Sequence, residues 1–330
     1  RPLDVKILTK STPTISSSKV TSFSSVSSSS GHSSPAIVLA AGSKAEFQCR
    51  SIGSRPSAQI SWWLGPERLS SNVRDSVNED GNATISTITF VPDLEDNGKM
   101  LTCRADNLPM PHTALKDEKL LNVHFAPQLR ISFGSNIGRD SIREGSDVYL
   151  ECRVRANPPV KEVVWLHEGR PLHGSLTGDV NAADASRSTI IMTNQSLVIQ
   201  KVHRSHRGRY QCVAFNDQGE TVSEALMLKV NFAPVCVDGQ KTQYGVSRNE
   251  QIRIRCEVDA EPSLGLTFRW TLNASGSETS TEWASFTNNA TTSIATYRPE
   301  SSLDYGTLSC VAQNSIGQQV EACVYSVVPA

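Results

Sequence analysis

Eight cysteines are the residues with the most reactive chemistry in this 330-residue chain. Six of them form three triplets in which a Trp follows the first Cys and precedes the second. The triplets are Cys49–Trp62–Cys103, Cys152–Trp165–Cys212 and Cys256–Trp270–Cys310. Thiols can ligate a metal, attack a substrate or form disulfides. Because no Cys or His cluster has zinc spacing and the cysteine count is even, we interpret all eight as disulfide-bonded.

The spacing of the triplets predicts the fold. Their first cysteines lie 103 and 104 residues apart, and a repeat of this length with an internal Cys–Trp–Cys pattern is typical of immunoglobulin-like β-sandwiches. In that fold the two cysteines stand on strands B and F of opposite sheets, and the strand-C Trp packs against their bond. We therefore predict an all-β chain of three tandem immunoglobulin-like sandwiches in a rod, with domains at residues 1–124, 125–232 and 233–330.

The strand assignment predicts the disulfide pairs. The B-to-F pairs are Cys49–Cys103, Cys152–Cys212 and Cys256–Cys310. The remaining Cys236 and Cys323 stand on the first and last strands of the third domain, which neighbour each other in this fold. A redox switch is the functional alternative for that last pair, but nothing nearby suggests a lowered thiol pKa, so we favour a structural disulfide.

Two similar segments mark the predicted domain boundaries. Leu121–Pro127 and Leu228–Pro234 both read as a last strand ending in Phe-Ala-Pro, where proline is expected to stop the ladder. Almost no linker remains, which favours a stiff, linear arrangement. Tyr325–Pro329 resembles a third such junction and predicts a further domain beyond Ala330.

The first domain carries an unusual insertion. Pro2–Ile7 alternates apolar and polar residues and predicts strand A, whereas residues 9–35 are mostly Ser and Thr. Such a composition buries little apolar surface, so we predict a disordered insertion in that range. An O-glycosylated stalk or an interdomain spacer is the alternative.

Composition and motifs favour an extracellular binding protein over an enzyme. Disulfides persist in oxidising compartments, and four sequons predict glycosylation at Asn82, Asn194, Asn273 and Asn289. No nucleophile motif appears, and we expect no catalytic residue, cofactor or metal. The net charge of −1 gives no reason to expect nucleic-acid binding or direct membrane contact. The chain begins at Arg1 without a signal peptide, so we expect a piece of a longer ectodomain on the extracellular side of the plasma membrane, with the membrane span outside this piece.

Two surface features are candidate contact sites. Lys201, Arg204, Arg207 and Arg209 form the densest basic run, on the turn that enters strand F of the second domain. A sulfated-glycan contact is the functional interpretation, and a solvated turn is the alternative that we favour. Trp63 follows the core Trp62 and should point outward, either as a protein-contact hot spot or covered by its neighbours.

The turns around strand F differ among the domains. Tyr210 stands two residues before Cys212 and predicts a tyrosine corner, whereas Leu101 and Leu308 lack the hydroxyl at that place, so those corners should lose the hydrogen bond. Asn216–Gly219 and Asn314–Gly317 predict tight F–G hairpins that require positive φ. The first domain has two prolines in the corresponding segment and should connect differently.

Several segments resemble the Sidestep family of arthropod neuronal surface proteins. The resemblance covers the chain outside the Ser-rich insertion and lies in Arg1–Ile7, Ser54–Pro56, Ile60–Trp63, Asp96–Cys103, Ala156–Pro158 and Cys323–Ala330. The double-Trp strand and the terminal segment are its more specific parts. Ala322 departs from the Pro expected before the Cys. Nephrin-like adhesion proteins share many of these features.

The resemblance implies a single-pass receptor or ligand in axon guidance and synaptic partner recognition, with Beaten path proteins as partners. In that family an N-terminal variable-type domain carries the contact, and this chain resembles the domains that follow it. We therefore expect the fragment to act mainly as a rigid spacer that presents the binding domain. The alternatives are the ligand-binding ectodomain of a receptor with a cytoplasmic enzyme such as a kinase, and an intracellular muscle-type scaffold, against which the disulfides argue.

Overall fold

The structure is a computed structural model that describes residues 1–9, 36–134, 142–172, 189–274 and 281–330. The described residues form β-strands and three short 3-10 helices. They divide into two compact units. The first comprises residues 1–128 with 155–161 and 214–221, and the second comprises 129–154, 162–213 and 222–330.

The first unit contains nine strands, the last of which continues into the second unit. Their bounds are β1 Asp4–Thr9, β2 Ile37–Ala40, β3 Ala45–Ile52, β4 Gln59–Leu64, β5 Glu67–Leu69, β6 Val73–Val77, β7 Ala83–Phe90, β8 Met100–Asp106 and β9 Leu115–Phe133, with 3-10 helices at Leu94–Asp96 and Pro111–Thr113. One sheet has the order β1-β3-β7-β6, and the other has the order β9-β8-β4-β5 with β2 paired in parallel to β9.

The core of the first unit follows from the alternation that the sequence predicts. On β3, Phe47 and Cys49 are buried while the residues between and beside them face outward. Trp62 is 1% exposed, and its Nε1 donates to the Ser86 Oγ at 3.0 Å. An indole N–H that is taken out of water needs such a partner, so the core Trp is fixed in orientation as well as buried.

The remaining strands lie mainly in the second unit, although residues 155–157, 214–216 and 219–221 belong to the first. Their bounds are β10 Val148–Asn157, β11 Val163–His167, β12 Arg170–Pro171, β13 Thr189–Met192, β14 Ser196–Gln200, β15 Gly208–Asn216, β16 Gly219–Val222, β17 Leu226–Leu228, β18 Phe232–Cys236, β19 Gln243–Val246, β20 Ile252–Glu261, β21 Thr267–Ala274, β22 Thr281–Trp283, β23 Phe286–Asn289, β24 Thr292–Tyr297, β25 Gly306–Gln313 and β26 Cys323–Pro329, with a 3-10 helix at Arg204–His206.

Two separate cores lie within the second unit. The first is centred on Trp165 and the Cys152–Cys212 bond, between the strands β13-β14-β10 and the sheet β12-β11-β15. The second is centred on Trp270 and Cys256–Cys310, between the sheets β18-β20-β24-β23 and β19-β26-β25-β21-β22. With the core of the first unit, the structure has three hydrophobic cores, which confirms the three predicted sandwiches. The exact domain limits at residues 124 and 232 stay predictions.

The prolines of the two junctions correct one expectation. Pro127 and Pro234 do not end a strand, because β9 runs through the first and β18 through the second. β18 lies at the edge of its sheet, and its register shifts between Phe232 and Val235, where Pro234 stands. A residue without an N–H is tolerated at an edge or a bulge, so the chain stays extended there.

The N-terminal strand is present, and its end lies slightly later than predicted. β1 pairs antiparallel with β3 and includes Thr9, which we expected to lie beyond the strand. Residues 10–35, which carry that prediction, lie outside the described residues.

The tyrosine corner is present in the second core and has an unforeseen counterpart in the third. The Tyr210 hydroxyl donates to the His206 carbonyl at 2.8 Å. In the third core, Tyr297 on β24 donates to the carbonyl of Asp304, which stands six residues before Cys310 just as His206 stands six before Cys212. The expectation that the third corner lacks this bond was wrong, because a neighbouring strand supplies the hydroxyl.

Candidate interaction surfaces

Trp63 lies on the outer face of the first core, as alternation along β4 predicts. Ile60, Trp62 and Leu64 on the same strand are buried. Trp63 is only half-buried, and its Nε1 donates to the Ser61 Oγ at 3.2 Å. One edge of the indole is thus bonded to its own strand, and part of the ring surface remains available for contact.

Charged and polar side chains surround Trp63 on neighbouring strands. Arg68 on β5 and Thr102 on β8 stand opposite it in register, and Glu118 on β9 stands opposite Thr102. The Thr102 Oγ1 donates to the Glu118 Oε1 at 3.3 Å. Together with Arg104 and Lys116, these residues form what we call the front face of the first core.

Ion pairs along single strands occupy much of the front face. Lys116 lies 2.9 Å from Glu118, and Arg104 lies 3.0 Å from Asp106. Exposed pairs of this kind contribute little binding energy, so the front face resembles the rim of an interface around one indole. Protein contact through Trp63 stays a prediction.

The three arginines of the predicted glycan site each face a carboxylate of this chain. Arg204 lies 3.1 Å from Glu144, Arg207 lies 2.9 Å from Asp259, and Arg209 lies 3.2 Å from Glu168. The fourth residue, Lys201, uses its backbone N–H to bind the Asp147 Oδ1 at 2.8 Å. These pairs reduce the positive charge that the turn presents to an external anion. Glycan binding there stays a prediction.

Two of these arginines also stack on an aromatic ring. The guanidinium carbons of Arg204 and Arg207 lie 5.3 and 5.7 Å from the centre of the Phe232 ring. Phe232 begins β18, so the basic turn before β15 contacts the first strand of the third core. The turn therefore has an internal packing role that its charge alone did not reveal.

His206 takes the place that Asp occupies in the corresponding turns of the other cores. Its Nδ1 accepts the backbone N–H of His203 at 2.9 Å, as the Asp96 carboxylate accepts that of Asp93. Burial, followed by the nearby His203 and His167, lowers the pKa of His206 below 6.5. The bond requires an unprotonated Nδ1, so both effects hold the imidazole neutral.

The structure joins the eight cysteines in the four expected pairs. The Cα–Cα separations lie between 5.7 and 6.5 Å for Cys49–Cys103, Cys152–Cys212, Cys236–Cys323 and Cys256–Cys310. Cys236 is on β18 and Cys323 on β26, which belong to different sheets, so the third core has two bonds between its sheets.

The four sequons differ in exposure. The asparagines at 194, 273 and 289 are exposed, whereas Asn82 is half-buried and its Oδ1 accepts from the Asn78 Nδ2 at 2.8 Å. Ser275, which completes the third sequon, lies outside the described residues. Occupancy of all four sites stays a prediction.

The hydrogen bonds of two asparagine side chains were missed by sequence reasoning. The Asn216 Nδ2 donates to the carbonyls of Phe125 and Pro158, at 2.9 Å each. The Asn314 Nδ2 likewise donates to the carbonyl of Phe232 at 2.9 Å. Each Asn stands four residues after the second Cys of its core, and this constant spacing is the signal that could have identified them.

The F–G hairpins agree only in part with expectation. Gly219 has a φ of +149°, whereas no positive φ occurs at Gly317. The Asn314 Oδ1 instead accepts the N–H groups of Ile316 and Gly317 at 2.9 and 3.1 Å, so a side-chain turn replaces the expected backbone conformation.

Metal-binding clusters and membrane-spanning helices are absent from the described part of the chain. No group of three or more His, Cys, Asp or Glu there could hold a metal ion. Among those residues, no helix has the length and hydropathy needed to cross a lipid bilayer.

Comparison with protein families assigns all three cores to one domain type. A CD80-like C2-set immunoglobulin domain model matches residues 30–112, and immunoglobulin domain models match residues 127–216 and 242–320.

Curated relatives and a solved structure are similar over parts of the chain. Cell adhesion molecule 2 of Xenopus tropicalis is 26% identical over 209 residues, which cover 62% of this chain and 43% of that protein. Cell adhesion molecule Dscam2 of Drosophila melanogaster is 27% identical over 237 residues, 71% of this chain and 10% of that protein. The alignments thus span less than half the length of these relatives.

The crystal structure of the mouse nectin-like molecule 4 ectodomain is 23% identical with a TM-score of 0.45, and the match covers 58% of this chain and 60% of that one. By the family models the chain consists of three immunoglobulin domains in tandem, and its homologues include adhesion molecules of the immunoglobulin superfamily.

Proposed function

We propose that this chain is the extracellular part of a cell-surface adhesion or recognition protein that acts in axon guidance or synaptic partner recognition. The observation that carries the proposal is the similarity to Cell adhesion molecule 2 over 62% of the chain. The Sidestep-like segments given above supply the neuronal part of the proposal, and Beaten path proteins are the partners that this resemblance suggests.

The proposed mechanism is presentation of a binding surface. Each core is crossed by a B-to-F disulfide, and the third has a second bond, so the domains resist unfolding outside the cell. The front face of the first core offers one half-buried indole among exposed ion pairs, which is a weak basis for affinity. We infer that the main partner contact belongs to a domain outside residues 1–330.

Surface plasmon resonance of two proteins over the same Beaten path partner tests this proposal. We expect the longer ectodomain to bind and residues 1–330 alone to show no appreciable binding. In a second outcome, the two proteins both fail to bind any Beaten path protein while the longer ectodomain still mediates cell aggregation. That result would support the adhesion function and show that the proposed partner is wrong. If the longer ectodomain neither binds a Beaten path protein nor mediates cell aggregation, the proposed adhesion function is wrong.

A matched pair of variants locates the contact if the fragment does bind. Trp63→Ala alters the front face, whereas Ile85→Ala removes an exposed apolar side chain from the other sheet of the same core. The presentation role would be contradicted if the fragment and the longer protein bound the partner with equal affinity. The contact would then lie on the front face if Trp63→Ala abolished this binding and Ile85→Ala did not.

A further inference from the structure

A groove beside Trp165 opens at the surface of the second core. It lies between the β11–β12 hairpin and the end of β13, and Val163, Trp165, Leu172, Met192, Thr193 and Asn194 line it. Asn194 is at once a lining residue and the acceptor of the sequon Asn194-Gln195-Ser196.

The base of the groove is apolar and held in place by hydrogen bonds. Trp165 is 1% exposed, and its Nε1 donates to the Thr193 carbonyl at 3.1 Å. The Leu172 N–H donates to the Trp165 carbonyl at 2.8 Å. Leu172 and Met192 are half-buried beside the indole. Burial of such apolar surface against the apolar face of a ligand is energetically favourable.

The turn that carries Asn194 orients its amide. The Thr193 N–H donates to the Ser196 carbonyl at 2.8 Å, and the Ser196 N–H donates to the Thr193 Oγ1 at 2.9 Å. The Asn194 Oδ1 accepts the Val163 N–H at 3.4 Å. The Oδ1 is therefore directed at the strand that forms one wall of the groove, and the exposed Nδ2 stays available for modification.

We propose that Asn194 carries an N-linked glycan whose first N-acetylglucosamine packs into this groove, over Leu172 and Met192. In the modification, a bond forms between the Asn194 Nδ2 and C1 of the sugar, and the Nδ2 loses one proton. The bond from C1 to the diphosphate of an oligosaccharide donor breaks, and the diphosphate leaves with the electron pair. The Oδ1 is unchanged and keeps its bond to Val163. The proposal rests on the extracellular location given under Proposed function.

Asn289 provides a matched control. Its sequon is exposed in the hairpin between β23 and β24, and it does not line this groove. A glycan there should leave the environment of Met192 unchanged.

The test uses residues 1–330 secreted from insect cells with ¹³C-methyl methionine. The chain has four methionines, so the Met192 methyl signal can be assigned by substitution. An endoglycosidase that leaves one N-acetylglucosamine on each site gives the trimmed protein, and an amidase that removes the whole glycan gives the bare protein. Peptide mapping after amidase treatment in ¹⁸O-water reports which asparagines were occupied.

We expect Asn194 to be occupied and the Met192 methyl to show cross-peaks with the N-acetyl methyl of the trimmed sugar. Those cross-peaks should disappear in Asn194→Gln and persist in Asn289→Gln, while the signal of the exposed Met227 stays unchanged in both.

Three outcomes overturn parts of the proposal separately. Occupied Asn194 without Met192 cross-peaks would refute the packing. Occupancy of other sequons with Asn194 bare would refute this site and leave the extracellular location intact. If all four asparagines are unglycosylated in the secreted protein, the glycan proposal is wrong as a whole. The proposed function is then tested separately, by the partner binding of the longer ectodomain.

Discussion

The hydroxyl of Tyr297 donates to the backbone carbonyl of Asp304, and through this bond strand β24 closes the turn that leads into β25. The second core closes the corresponding turn with Tyr210, which belongs to β15 itself. Both phenol rings are almost fully buried, and burial raises the pKa of both hydroxyls. The equivalent carbonyls of the two cores thus accept hydroxyls that come from different strands.

We predict that Tyr297→Phe and Tyr210→Phe each destabilise their own core by about 1–2 kcal/mol, because a partly buried carbonyl loses its partner. Hydrogen exchange of the peptides that cover residues 299–312 and 201–214 measures each effect locally. Tyr149→Phe, on a ring that is 41% exposed, is the control and should change neither. Unchanged exchange in Tyr297→Phe would show that the bond is dispensable.

Acid should weaken the turn that contains His206. Its pKa lies below the unfolded value of 6.5, first because of burial and then because of the charges of His203 and His167. The unfolded chain therefore binds the proton before the folded chain does. Stability is complete above the unfolded pKa, falls as the pH drops below about 6.5, and levels off below the folded pKa.

The measurement is hydrogen exchange of residues 201–212 at pH 7.5 and pH 5.5, with rates corrected for intrinsic pH dependence. Glu144 is the carboxylate that faces this turn, 3.2 Å from His203. His206→Asp restores the residue type of the other turns and should abolish the extra acid opening. His112→Asp in the first domain is the control, and equal acid sensitivity in the His206→Asp protein would contradict the assignment.

The ion pair between Arg207 and Asp259 should stabilise the contact of the basic turn with the third core. Their closest atoms are 2.9 Å apart, and the side chains are 47% and 35% exposed, so solvent screens the pair. We therefore expect a coupling energy of only about 0.2–1 kcal/mol in a double-mutant cycle with Arg207→Ala and Asp259→Ala.

Exchange of the amides in β18 and β20 at low and high salt measures that coupling, which should shrink in high salt. The Arg255–Glu257 pair is the control, because both of its residues lie on β20. A coupling well above 1 kcal/mol would mean that the stacking of Arg207 on Phe232 depends on the carboxylate.

The two adjacent tryptophans of β4 should differ sharply in their effect on stability. Trp62→Ala leaves a cavity beside the Cys49–Cys103 bond and frees the Ser86 hydroxyl, so we expect a loss of about 3–5 kcal/mol. Trp63→Ala should cost less than about 1 kcal/mol, because its ring is half-exposed. Urea denaturation, monitored by hydrogen exchange of the amides in β3 and β8, measures the stability of each variant. Similar losses of stability in the two variants would mean that Trp63 is part of the core.

Removal of the Cys236–Cys323 bond should loosen the third core selectively. The cysteines are 87 residues apart in sequence, and the chain-entropy model gives a loss of about 4–5 kcal/mol for a loop of this size. Exchange in β18 and β26 of the Cys236→Ala/Cys323→Ala protein measures it. The first core should be unaffected, and unchanged β18 exchange would show that edge pairing with β20 suffices.

Much of the fold follows from the sequence because its determinants are local or repeat at a fixed period. Side chains alternate along a strand, so Phe47 and Cys49 had to share a face, and Trp63 had to oppose Trp62. A repeat of about 100 residues fixed the number of cores, and the B-to-F relation within each repeat predicted which cysteines meet.

The tertiary structure decided the features that depend on distances between residues far apart in the chain. The sequence presents Arg207 as one member of a basic run, and only the fold brings Asp259 and Phe232 against it. The same holds for Tyr297, which reaches the turn at Asp304 from another strand. Strand register and the packing of neighbouring strands set these contacts. Neither the composition nor the periodicity of a single segment contains that information.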